Sequence, residues 1–252
     1  MKTVAKRVAF KWLEDHGYDT QHRLTPYQRH SRDAFFAAEQ DARRRYAELD
    51  PQFKLELPAI LEAKYKAKPV LGKRRVYDAI AELATIIDPL DPYLGCISQL
   101  THQLQVATAM EDDGVDEQFL ACDLVHDIGK LPIKVTDEDP INVEAGGKKA
   151  PLTGYVGGGL LNCSFRWGHG DFAYLRLKDY VPPAIAWILR HHRIDVAACE
   201  PYMNDQDREY TQRYLIAFMA YDDRKDMYRL PRRQLEDYRT LLDAMFPHEI
   251  LI

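Results

Sequence analysis

Apolar residues recur at intervals of three and four through most of this chain, the period of helices that bury one face. Between Tyr77 and Ile87 the pattern falls on Ile80, Leu83, Ala84 and Ile87, then breaks at Asp88-Pro89. Val4, Val8, Ala9 and Trp12 have the same spacing and predict an amphipathic helix at the start. Arg32 to Leu49 holds helix formers and no Gly or Pro, and Pro51 stands where a proline opens the next helix. Ser98–Met110 and Asp116–Ile128 read as two helices parted by the turn Asp112 to Gly114. Pro182-Pro183 opens another, running to about His192, and Asp207–Tyr221 and Arg232–Phe246 follow. Beyond Lys134-Val135 there is no strand signal, so the fold class is all-α.

Lys134 to Arg166 departs from the rhythm, with eight glycines and prolines including Gly146-Gly147 and Gly157 to Gly159. A loop this long in a compact domain is a functional element or a surface excursion. Both readings stand on sequence.

Composition adds boundaries. The 252 residues, 46% hydrophobic and 29% charged, suit one large domain or a domain with an extension. No uncharged apolar stretch reaches about 18 residues, so no membrane partner is expected. Met1 to Leu13 is too short and too charged for a secretion signal. Four scattered cysteines, Cys96, Cys122, Cys163 and Cys199, read as reduced thiols in a cytoplasmic protein and make a zinc-thiolate site improbable. Residues 1–75 carry 17 Lys and Arg against 10 Asp and Glu, and the rest 17 against 29. The early basic residues alternate with acids and lack an aromatic platform, which favours a solvated face over nucleic acid.

The chemistry gathers around Leu124-Val125-His126-Asp127-Ile128-Gly129-Lys130. A His-Asp pair inside an apolar helix is costly to bury without a partner, and a metal is one such partner. The two side chains project roughly 100° apart, so one ion can sit on the imidazole while the carboxylate reaches a second. His102, His169, His192 and Asp222 stand in similarly apolar or junction settings. Singly, each could be a core residue satisfied by a hydrogen bond. Six in the order H…HD…H…H…D fit the donor set of two metal ions, with Asp127 between them. His191 competes with His192, and Asp223 with Asp222. The register from Pro182-Pro183 favours His192, and the aromatic-then-Asp pattern favours Asp222. His191 is then expected at the surface or behind the ligands, and Asp223 in solvent.

His102, His126-Asp127 and Asp222 resemble the signature of the HD-domain superfamily. Asp88-Pro89-Leu90-Asp91-Pro92, Leu100 to Gln105, Val125 to Lys130, Trp167-Gly168-His169, Val181-Pro182-Pro183 and Tyr228 to Pro231 are similar to the myo-inositol oxygenase family. The resemblance runs from about residue 75 to the end. It implies a helical bundle over residues 71–252 behind an N-terminal helical extension, 1–70. It also implies two iron ions in a mixed Fe(II)/Fe(III) state, with O2 as co-substrate. The activity implied is oxidative cleavage of a C–C bond in a polyol, all four electrons coming from the substrate, so no reductase partner is called for.

The resemblance also places Lys130, Asp88 and Lys225 at substrate-contacting positions, although Lys225 falls one residue short of the family's lysine. It departs from the family at Arg193, where a small hydroxyl is expected, and in the 134–166 loop. Arg193 could pair with a carboxylate or phosphonate, or could end a helix in solvent. The rival enzyme is a metal-dependent phosphohydrolase using Lys130, Lys148, Lys149 and Arg193 for phosphate. A third reading is a metal-stabilised scaffold without catalysis. Substrate, oxidation state and oligomeric form are not legible.

Overall fold

The computed structural model describes residues 43–86, 98–135, 148–223 and 231–252, with residues 37, 40, 41 and 142. The first predicted helix, part of Arg32–Leu49, Asp88 and Lys225 lie outside the described residues, and residues 43–48 are helical as expected. Helix α1, Pro51–Ala67, starts on its proline, and Asp50 caps it by accepting from the Gln52 and Phe53 amides. Its inner face brings Leu61 and Tyr65 to the core, where the Tyr65 ring stacks on Trp167 and meets Phe172 edge-on. Arg176 is buried and donates to the carbonyls of Tyr65 and Lys68 at the carboxyl end of α1, where a cation complements the dipole.

Helix α2, Val76–Glu82, is shorter than predicted, because Leu83–Thr85 tighten into a 3-10 turn. Helix α3, Gln99–Asp112, is capped by Ser98 and overruns its predicted end by two residues. Helix α4, Glu117–His126, is capped by Asp116. The α-helix predicted to reach Ile128 stops at His126: Asp127–Lys130 wind as a 3-10 turn, and α5, Leu131–Val135, resumes. Helix α6, His169–Leu177, packs against this turn, and α7, Pro183–His191, packs against α6 and α4. After the short α8, Val196–Cys199, one long helical segment runs from α9, Asp205–Tyr210, through a π turn, Thr211–Leu215, into α10, Ile216–Asp222. The last predicted helix begins as a 3-10 turn at Leu235–Tyr238 and becomes α11, Arg239–Met245.

The fold is all-α, with four minimal strands among the described residues that sequence periodicity could not register. β1, Lys73–Arg74, pairs antiparallel with β4, Ile250–Leu251. β2, Pro151–Thr153, pairs antiparallel with β3, Ser164–Phe165, so the second half of the 134–166 loop is built rather than irregular. Two glycines permit the central packing. A Cβ on Gly129 would meet the His169 carbonyl oxygen at 1.8 Å, and one on Gly170 would meet the Leu189 carbonyl oxygen at 2.6 Å. Both neighbours are main chain, which cannot retreat cheaply.

Candidate metal centre

Five elements deliver six side chains to one buried point. His102 comes from the second turn of α3, and His126 and Asp127 from the end of α4 and its 3-10 turn. His169 opens α6, His192 follows α7, and Asp222 ends α10. None of the six is more than 4% exposed. Their donor atoms face one another. His102 Nε2 lies 2.9 Å from Asp222 Oδ1, which is also 3.4 Å from His126 Nε2. The Nε2 atoms of His169 and His192 are 2.7 Å apart. Asp127 stands between the groups, with Oδ2 3.4 Å from His126 Nε2 and Oδ1 3.4 Å from His169 Nε2. The donor atoms of His102, His126 and Asp222 lie within 4.8 Å of one another, as do those of His126, Asp127 and His192.

Two histidines are held in the orientation a metal requires. His126 Nδ1 donates to the Asp123 carbonyl at 2.6 Å, and His192 Nδ1 donates to the Leu189 carbonyl at 2.9 Å. With Nδ1 directed outward, each ring keeps Nε2 as the nitrogen that faces the cluster. Phe218 packs edge-on against the His126 and His192 rings and closes that side to water. Burial raises the Asp127 carboxyl, but His126, Lys130 and His169 outweigh it and hold the group well below the usual carboxylate range. Burial lowers the His126 imidazole, yet Asp127 and Asp222 hold it well above its ordinary value. For His192, burial, then the His169 and His126 rings beside it, hold the imidazole well below its ordinary value.

The competing assignments separate. His192 faces the cluster, whereas His191 donates from Nδ1 to the Trp187 carbonyl at 2.9 Å and packs against Trp187 and Phe165. His191 is fully buried, which leaves, of its two expected positions, the one behind the cluster, as part of the core. Asp222 is inside and Asp223 is exposed. Lys130 is buried, not a solvated helix end, with Nζ donating to Gln99 Oε1 at 2.8 Å and 3.2 Å from Asp127 Oδ2. Arg193 is half-buried and, with Lys148, lines a small pocket whose wall includes His192 and Asp222.

Sequence reasoning missed Gln99, Asp123 and the group around Asp171. Gln99 lies one turn before His102's neighbour Gln103 on α3, both buried, and polar residues at that spacing on a helix's inner face were the available signal. Asp123 is fully buried one turn before His126, and burial raises its carboxyl well above the usual range. Cys122, Cys163 and Cys199 are free and buried, and burial pushes the Cys199 thiol up to about 12. Among the described residues no helix is long and apolar enough to cross a membrane.

A family model described as myo-inositol oxygenase matches residues 42–146, beginning ahead of the boundary at 71 read from the sequence. The match takes in His102, His126, Asp127 and Lys130; His169, His192 and Asp222 join them through the geometry. The chain is 28% identical over 217 residues to a probable inositol oxygenase of Oryza sativa subsp. japonica, covering 69% of each. It is 28% identical over 187 residues to inositol oxygenase 1 of Arabidopsis thaliana, covering 58% of this chain and 59% of that one.

Proposed function

We propose that this chain is a member of the myo-inositol oxygenase family, to which it is similar, and that it holds two iron ions and uses O2 to cleave a C–C bond in a hydroxylated small molecule. The observation that carries the reading is Asp127, whose two oxygens are turned to two different histidines, His126 and His169. His102, His126 and Asp222 would hold one ion, and His169 and His192 the other, with Asp127 shared. One half is then two imidazoles with Asp222 and the shared Asp127, and the other two imidazoles with Asp127; two imidazoles and a carboxylate, common to both, are the donor set typical of non-haem iron that activates oxygen. The residues fit: donor separations of about 3 Å follow from ligands each about 2.1 Å from a common ion, and His126 and His192, anchored through Nδ1, turn Nε2 toward it.

The ions would supply Lewis acidity toward a substrate hydroxyl and the electron-transfer couple for O2. The protein's own contribution is binding and proton control. Lys130 keeps an ammonium beside Asp127, held by Gln99, where it can donate to a substrate oxygen. Phe218 excludes water from the ring side. Lys148 and Arg193 place positive charge at the pocket that reaches His192 and Asp222, which supports a hydroxylated substrate bearing an anionic group. Inositol remains the first named compound to test. The substrate provides all the electrons, so no reductase is required, and the free buried thiols fit a reducing, cytoplasmic setting.

The phosphohydrolase reading loses a cation. Lys149, one of the four it would draw on, is committed to Asp171. Mössbauer spectroscopy on anaerobically iron-loaded protein, paired with oxygen-consumption assays, tests the proposal. Two irons per chain and oxygen uptake with a polyol are expected. One zinc per chain, or oxygen-independent phosphate release from nucleotides, would reverse it.

A further inference from the structure

Lys149 is a buried lysine immediately ahead of β2, and it grips two segments at once. Its main chain pairs with the turn that follows His192. The Lys149 amide donates to the Arg193 carbonyl at 2.7 Å, the Asp195 amide donates to the Lys149 carbonyl at 2.8 Å, and the pair Lys149–Ile194 forms a parallel bridge. Its side chain goes to the helix that begins at His169. Lys149 Nζ donates to Asp171 Oδ2 at 2.7 Å. The same oxygen accepts the Gly168 amide at 3.1 Å, fixing the first turn of α6, while Asp171 Oδ1 accepts from Arg190 Nε at 3.3 Å on α7.

His169 is two residues before Asp171, and His192 is one residue before Arg193. A single residue therefore ties together the two segments whose imidazoles face each other at 2.7 Å. Among the described residues, the hydrogen bonds of Lys149 do not reach the helices bearing His102, His126 or Asp222. The tie serves one half of the centre.

We infer that Lys149 is a positioning residue that sets the spacing of His169 and His192 and so governs the second iron independently of the first. This rests on the di-iron reading above. It differs from a general stabilising role in what it moves. Asp171 keeps Arg190 as a cation when Lys149 loses its charge, so the carboxylate is not stranded and the helices can still pack. What is lost is the link between α6 and the strand-like pairing at Arg193–Asp195. The two imidazoles then sample a wider range of separations, and an ion needing both is held less tightly.

The experiment is an anaerobic titration of the full chain with ferrous iron, counting bound iron by elemental analysis and resolving the two sites by Mössbauer spectroscopy. The wild type should bind two irons. Lys149→Met should keep its far-UV circular dichroism and one iron, with wild-type parameters, while affinity for the other falls at least tenfold. Asp171→Asn, which retains an oxygen to cap α6 but loses the charge, should give the same selective loss, and it carries the test if Lys149→Met fails to fold. Two irons at wild-type affinity in both variants, or equal loss of both irons from folded protein, would overturn the inference. A wild-type count below two would instead overturn the di-iron reading beneath it.

Discussion

Gly129 and His169 are in main-chain contact: the turn carrying Asp127 lies so close to the start of α6 that no side chain fits between them. The contact sets where Asp127 Oδ1 meets His169 Nε2. Gly129→Ala should therefore push the two apart, at a cost of about 3 kcal/mol, near the upper end for overpacking because both neighbours are backbone. Urea unfolding should register the loss as a lower midpoint with an unchanged slope. A wild-type midpoint would mean that the two segments slide freely.

Asp127 and Lys130, three residues apart and 3.2 Å from each other, should separate assembly from turnover. Asp127→Ala removes the shared carboxylate and should abolish binding of two irons. Lys130→Ala should leave both irons bound and lower kcat by about 10²-fold, the usual scale for one lost donor to a developing negative charge. Iron counts and steady-state kinetics on the two variants decide it. Unchanged kinetics in Lys130→Ala would remove it from the site.

Iron loading should release protons. In the metal-free chain, Asp127 and Asp222 outweigh burial at His126 and favour its protonated form, while burial and the neighbouring rings favour the neutral form of His192. An ion bound at His126 must displace that proton. The bound state then holds fewer protons, so affinity rises with pH up to the raised His126 value and falls as the solution is acidified. Asp127, already ionised, contributes nothing to the exchange. Calorimetry at pH 7 in buffers of different ionisation enthalpy should show about one proton released per chain from this site. No release would mean a neutral His126 before loading.

Arg193 borders the pocket that reaches His192 and Asp222, where it can pair with an anionic substrate group. Arg193→Ser should raise KM by about tenfold or more, equivalent to about 1.4 kcal/mol, a value discounted for its partial exposure. The iron spectrum should stay unchanged. If the wild type cleaves myo-inositol efficiently and Arg193→Ser does not alter it, the arginine serves no substrate.

The helical class and the meeting of all six donors were legible because each donor carries a local signature: a polar, metal-competent residue in an apolar or junction setting. Local signals did not reveal the turn geometry. The period that made Asp116–Ile128 one helix says nothing about α6 pressing on Gly129, and that long-range contact accompanies the tighter turn at Asp127. The burial of Lys130 was hidden for the same reason, since Gln99 accepts its proton from another helix. His191 stayed open between surface and interior because an imidazole beside a ligand looks spare on sequence, and only the fold brings Trp187 and Phe165 around it. Lys149 read as one of several loop cations, and only the fold reveals Asp171 as its counterion.

The π turn at Thr211–Leu215 acts as a phase shifter. Ahead of it, Asp207 looks toward the β2–β3 side, accepting from Trp187 Nε1 at 2.7 Å and the Leu160 amide at 2.8 Å. Beyond it, Phe218 and Asp222 look toward the histidines. Regular α-helical winding advances about 100° per residue, and the wider turn accommodates one residue that the α rhythm would not. Were the same residues wound as a regular α-helix, Asp222 would be carried about 100° past its place opposite His102, so the helix satisfies its two faces only because the wider turn absorbs that extra residue.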